Sequence, residues 1–145
     1  MRVYFSHAMR GKAGDGASDE IQLTNNEVAL LLAKKLRKRL PGIEVYVPAE
    51  SEPFVRAAFD AKYLTIVQIL ELDCKVIDGC DIVICYVPEG DELQGGRLVE
   101  FDHAIDTLKP VMCYSDLDAA VEFIVEHMEY GEGLGGISFG RNADE

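Results

Sequence analysis

The sequence predicts an α/β fold, a doubly wound parallel sheet of four to five strands with helices on both faces. Two observations carry this. Short apolar runs alternate with stretches of helical period along the whole chain. The run Ile82 to Val87 is apolar without alternation, as expected of a parallel strand covered on both faces. The 145 residues suit one domain over 1–129, followed by a glycine-rich tail over 130–145.

Val3, Tyr4 and Phe5 read as the first, central strand. Ser6 to Gly16 carries three glycines with Arg10 and Lys12 among them, and reads as a long loop at that strand's carboxyl end. Open α/β sheets bind ligands at such loops. A helix follows and ends near Leu40, capped by Ser18 or by Thr24, which has Glu27 in capping-box spacing. Val28, Leu31, Leu32 and Leu36 are its expected apolar stripe. The cations from Lys34 to Arg39 suit its C-terminal dipole; a nucleic-acid patch is disfavoured because no aromatic or glycine-rich partner accompanies them.

Pro41-Gly42 stops this helix. Ile43 to Val47 alternates as a second strand, and Ala49 to Phe59 reads as a loop with short helical turns. A helix is expected from about Asp60 to Gly79, with Ile66, Ile69, Leu70, Val76 and Ile77 buried. Asp73 falls inside that stripe. An acid there is costly unless it has a partner or a task, so it is either satisfied by amides or a cation, or aimed at a cleft.

After the third strand comes an acidic loop, Pro88 to Gly95, and a helix from about Gly96 to Leu108. Leu98, Phe101, Ile105 and Leu108 are its expected core stripe, with Glu100 beside it in the first turn. Backbone amides and the dipole there would keep a carboxylate ionised. His103 reads as a supporting or surface residue. Val111 to Tyr114 makes a fourth strand, and Ser115 can cap a last helix carrying Val121, Ile124, Val125 and Met128. The glycines after Tyr130 mark a mobile tail or a segment that closes a site through Phe139 and Arg141. Strand–helix alternation of this kind is flavodoxin-like or Rossmann-like, with right-handed crossovers.

The formal charge of −12 argues against a nucleic-acid polymer or an anionic membrane as partner, but not against a small anion held by local cations and amides. Four cysteines without a Cys-x-x-Cys pair read as buried, reduced thiols of a cytoplasmic protein. Three scattered histidines do not favour zinc, and no metal or cofactor is expected. No apolar run approaches the roughly 20 residues of a membrane span. The strand-like opening does not read as a signal peptide.

Several residues in order resemble one family. Val3-Tyr4-Phe5 followed by Arg10-Gly11, Asp73 before Asp81-Ile82-Val83, Gly96 before Glu100, and Lys109-Pro110-Val111 resemble the nucleoside 2-deoxyribosyltransferase superfamily. The branch most similar is the 2'-deoxynucleoside 5'-monophosphate N-glycosidases. The resemblance implies Glu100 as the nucleophile at the anomeric carbon, Asp73 as the group assisting at the base, and Tyr4 as the residue positioning nucleophile or sugar. It implies Arg10 at the 5'-phosphate, with Gly11 and Gly96 at the substrate. Gln94 stands where the hydrolases offer a Ser to phosphate and the transferases an Asp. Ser6-His7-Ala8-Met9 replaces the hydrolases' Gly-Ser, leaving Ser6 or His7 to contact the ligand.

The two-carboxylate logic of retaining glycosidases suits this chemistry, with a raised pKa on Asp73 separating it from an ionised Glu100. The expected activity is hydrolysis of (deoxy)nucleoside monophosphates. The alternatives are base exchange through the same covalent intermediate, and a non-catalytic nucleotide-binding or signalling module. A distant relation to NAD-cleaving domains also stays open. A phosphoacceptor receiver is disfavoured, since no Asp ends the third strand. The resemblance further implies a homodimer or larger homo-oligomer.

Overall fold

The computed structural model describes residues 1–129; the expected roles of Phe139 and Arg141 in the glycine-rich tail lie outside the described residues. Strand β1 (Arg2–Ser6) is central, because it pairs in parallel with β2 (Glu44–Tyr46) on one side and β3 (Ile82–Tyr86) on the other. Strand β4 (Val111–Tyr114) pairs with β3, giving the order β2-β1-β3-β4 with every pair parallel. The fold is thus the expected doubly wound parallel sheet, with four strands among the described residues.

The described residues form five α-helices, α1 (Asp19–Arg39), α2 (Glu52–Asp60), α3 (Ile66–Asp78), α4 (Gly95–Asp106) and α5 (117–129), of which α2 buries no residue and the other four pack on the sheet. Alternation along β1 sorts its side chains between two cores. Val3 and Phe5 join Ile82 and Ile84 under α1 and α5. Tyr4 joins Val83, Cys85, Ile77 and Ala104 under α3 and α4. Because the chain leaves β1 for β2 and later returns beside β1 with β3, the carboxyl ends of β1 and β3 flank a crevice.

Several expected details are corrected. Ser18, not Thr24, caps α1: its Oγ accepts from the Ile21 amide at 3.2 Å. The buried face of α1 is Asn26, Ala29, Ala33 and Leu36, while Val28 and Leu31 point outward. Alanines four apart let this helix lie close on the sheet.

The expected loop after β2 is largely helical, and α3 starts at Ile66 rather than Asp60. Thr65 and Gln68 form a reciprocal capping box that starts α3 there. Lys62, at φ 65°, turns the chain between α2 and α3. Asp116 rather than Ser115 caps α5, accepting from the Asp118 amide at 3.1 Å.

In α4 only Phe101 of the expected stripe packs against the core, and the helix ends at Asp106, before Leu108. Arg97, Glu100 and Ala104 are buried, whereas Leu98 and Ile105 face outward and Leu108 is 90% exposed. The cysteines are free thiols, but only Cys80 and Cys85 are buried; Cys113, on the outer strand β4, is exposed. No helix among the described residues is long and apolar enough to cross a membrane.

Candidate active site

A cleft of about 720 Å³ opens at the carboxyl edge of the sheet, lined by the loop after β1, the start and inner side of α2, and one side each of α3 and α4. Glu100 and Asp73 both line it. Helix α4 starts at Gly95, so Glu100 sits in its second turn, not its first. The helix dipole is therefore not what governs this carboxyl. Burial is.

Glu100 is 5% exposed. Burial first, and then the charge of Asp73, push it up to about 8, against the Ser6 and Tyr4 hydroxyls and Arg97, which favour its ionised form. Asp73 is pushed up to about 6 by burial and by Glu52. This reverses the expected assignment. The more buried carboxyl, Glu100, holds the first proton, and Asp73 is the stronger acid of the coupled pair.

Tyr4 and Ser6 lie on alternate positions of β1, both fully buried, and their hydroxyls converge on Glu100. Tyr4 Oη, Ser6 Oγ and Glu100 Oε2 are buried without a hydrogen-bond partner among the described residues. Neither Tyr4 nor Ser6 lines the cleft itself; they stand behind the Glu100 carboxyl, where unsatisfied buried polar atoms are expensive and call for an explanation other than stability. The Tyr4 ring stacks on Tyr46 at 5.5 Å between centroids, which fixes its direction.

The other expected residues divide by role. Gln94 precedes α4 and its Nε2 donates to the Gly11 carbonyl at 2.9 Å, joining the loops after β1 and β3. Gly11 has φ +57°, a conformation suited to glycine. Gly96 lets α4 approach α3: a Cβ there would lie 3.2 Å from Leu70 Cδ2. Arg10 is at the cleft but exposed, and its guanidinium donates to Asp15 at 2.9 Å.

His7 is engaged on both sides. Its Nε2 accepts from the Ala49 amide at 3.0 Å, which puts the ring proton on Nδ1, 3.3 Å from the Ala8 carbonyl it can donate to. Burial pulls it down to about 4, so the ring is neutral and serves to hold the segment after β2.

Three cleft residues escaped the sequence reading. Arg97 is buried and donates to the Tyr86 carbonyl at 2.8 Å, to Asp91 at 2.9 Å and to the Glu92 carbonyl at 2.8 Å. It clamps the acidic loop onto the end of β3. Its signal was its place three residues before Glu100, on the same helical face. Glu52 and Arg56 come from α2, where Pro53, at the second helical position after the N-cap Ser51, is the helix-start sign in the sequence. Arg56 donates to Asp19 at 2.8 Å.

Comparison with models of known families, with curated proteins and with solved structures found no match to this chain.

Proposed function

We propose that the protein is an N-glycosidase that hydrolyses (deoxy)nucleoside 5'-monophosphates through a covalent intermediate on Glu100. The observation that carries this reading is the buried Glu100 carboxyl, flanked by the unpartnered Tyr4 and Ser6 hydroxyls and coupled to Asp73 in one cleft. A carboxylate beneath a sugar stabilises the positive charge that grows as a glycosidic bond breaks. In the first step a Glu100 oxygen bonds to the anomeric carbon. The C–N bond breaks, its electron pair leaves with the base, and the base takes the proton from Asp73. Water then attacks the same carbon, giving its proton to Asp73, and Glu100 departs as carboxylate. The products are free base and (deoxy)ribose 5-phosphate.

The proton must move from Glu100 to Asp73 before the first step. Because Glu100 is the more deeply buried of the two, the singly protonated pair favours the proton on Glu100, and the reactive arrangement is its minor form. Arg10 is the candidate phosphate anchor, since its exposed pair with Asp15 is worth only about 0–1 kcal/mol and yields readily.

One observation favours the second reading, base transfer between uncharged nucleosides. Each arginine lining the cleft is already paired with a carboxylate: Arg10 with Asp15, Arg56 with Asp19, Arg97 with Asp91. An uncharged nucleoside requires none of them. A homo-oligomer belongs to the same proposal, supported by the exposed Phe54 and Tyr63, at 78% and 82%, on and just after α2.

The test is chromatographic product analysis on a panel of deoxynucleoside monophosphates and nucleosides, with and without an acceptor base. Free sugar phosphate supports hydrolysis and an exchanged base supports transfer. No turnover of any panel member overturns both.

A further inference from the structure

Two thiols stand side by side in the sheet, and the glycosidase reading uses neither. Ser6 of β1 is the register partner of Cys85 of β3, and Cys85 is the partner of Cys113 of β4. Partners in a parallel ladder point to the same face of the sheet. Cys85 belongs to the core under α3 and α4, so the Cys113 side chain stands on that face too. One line of side chains thus runs from the hydroxyl behind Glu100 to the last strand of the sheet among the described residues. Its two sulfurs differ in access: Cys85 is fully buried and Cys113 is exposed.

The ladder brings the pair within bridging range. Neighbouring strands lie about 4.8 Å apart, so paired Cα atoms fall inside the roughly 4.4–6.8 Å span that a disulfide joins. The Cβ atoms of a disulfide stand closer, at about 3.8 Å, so closure draws β4 slightly toward β3. An outer strand makes that shift more easily than a central one. The other two cysteines are placed differently. Cys74 lies on α3, and Cys80, just past that helix, donates its thiol proton to the Val76 carbonyl at 3.3 Å.

We propose that Cys85 and Cys113 form a redox site that closes to a reversible intrachain disulfide when hydrogen peroxide meets the exposed sulfur. The inference does not depend on the glycosidase reading. The Cys113 sulfur attacks one peroxide oxygen and the O–O bond breaks. The departing hydroxide takes the thiol proton as water, leaving a sulfenic acid. The Cys85 sulfur then attacks the Cys113 sulfur. The S–S bond forms, the S–O bond breaks, and a second water leaves with the Cys85 proton. The pair loses two electrons and one peroxide becomes two waters. A small thiol restores both cysteines by exchange. The neighbour decides the end product, since an exposed sulfenic acid without one goes on irreversibly to sulfinic acid.

The test uses the full folded chain, reduced, freed of reductant and treated with hydrogen peroxide. Burial pushes both thiols up, so the reaction is run at pH 8.5, where more thiolate forms. Remaining thiols are alkylated in denaturant and the digest is mapped by mass spectrometry. Wild type is expected to lose two of its four thiols, to yield one linked peptide pair joining Cys85 to Cys113, and to regain both thiols in dithiothreitol. Cys113→Ser is expected to form no intrachain link and to keep Cys85 reduced, because the sulfur that the oxidant reaches is gone. Cys85→Ala is expected to carry Cys113 on to sulfinic acid. A thermal melt checks that each variant is folded, and the wild-type map decides the question where one is not.

Three results overturn the proposal. The first is wild-type Cys113 reaching sulfinic acid without a link. The second is a link that joins two chains or involves Cys74 or Cys80. The third is a pair that stays reduced under peroxide that oxidises the denatured chain.

Discussion

Arg97 Nη2 donates to Asp91 Oδ2 at 2.9 Å, with the two side chains 1% and 10% exposed. One side chain thereby holds the acidic loop against the end of β3 while sharing a helical face with Glu100. Removing one member of a buried pair leaves the other charge stranded. Arg97→Ala is therefore expected to lower stability by about 3–5 kcal/mol. Asp91→Asn is expected to cost less, because Arg97 keeps its carbonyl acceptors on Tyr86 and Glu92. Urea unfolding midpoints of the two variants test this order, and an unaltered midpoint in Arg97→Ala would refute it.

Activity is expected to follow a bell in pH, with limbs near 6 and 8. Below about 6 both Asp73 and Glu100 are protonated, so no nucleophile exists. Above about 8 both are ionised, so no acid remains. The singly protonated pair dominates between, and the bell is the same whichever group holds the proton. Asp73→Asn is expected to lower kcat/KM about 100-fold or more and to lower the Glu100 limb, because the charge that raises it is gone. A profile flat from pH 5 to 9 would contradict both roles.

Glu100 trades stability for its position. Its folded value of about 8 lies above the ordinary carboxylate value of 4.5, so the folded state resists its ionisation. Its contribution to stability is full below pH 4.5 and is lost as pH rises through about 8. Glu100→Gln carries no charge at any pH. It is expected to be more stable than wild type at pH 8.5 by about 2–4 kcal/mol, with little gain at pH 4.5. The same variant is expected to lose about 1,000-fold or more in turnover. Melts at the two pH values, beside the rate, separate a catalytic role from a structural one.

What the sequence made legible follows from period. The strands are short apolar runs, and their parallel order follows from the helices between them. The site carboxylates Asp73 and Glu100 were visible as acids at or beside apolar stripes. The misreadings share a cause: hydrophobicity was taken as the measure of burial. Helix α4 buries Arg97 and Glu100 because their polar atoms serve the loop and the cleft, while Leu98 and Ile105 are left outside. Helix α1 buries alanines because close approach to the sheet favours small side chains. The order of the two carboxyl pKa values was beyond reach, since it depends on depth rather than on position along the chain. So was the pairing of Arg10 with Asp15, a tertiary contact within a loop.

His7 gives the last prediction. Its ring accepts from the Ala49 amide at 3.0 Å, a bond that only the neutral ring can keep. Its folded value of about 4 lies below the ordinary 6.5. The stability it contributes is therefore full above pH 6.5 and is lost as pH falls through about 4. His7→Gln retains an acceptor oxygen and does not titrate. The stability difference between wild type and His7→Gln is expected to shift by about 2–3 kcal/mol against wild type between pH 7 and pH 4. Taking the difference at each pH cancels the opposite trends of Glu100 and Asp73, which both chains share. Denaturant unfolding at the two pH values measures it. A difference that stays constant would mean that the ring is charged or that its bond to Ala49 carries no weight.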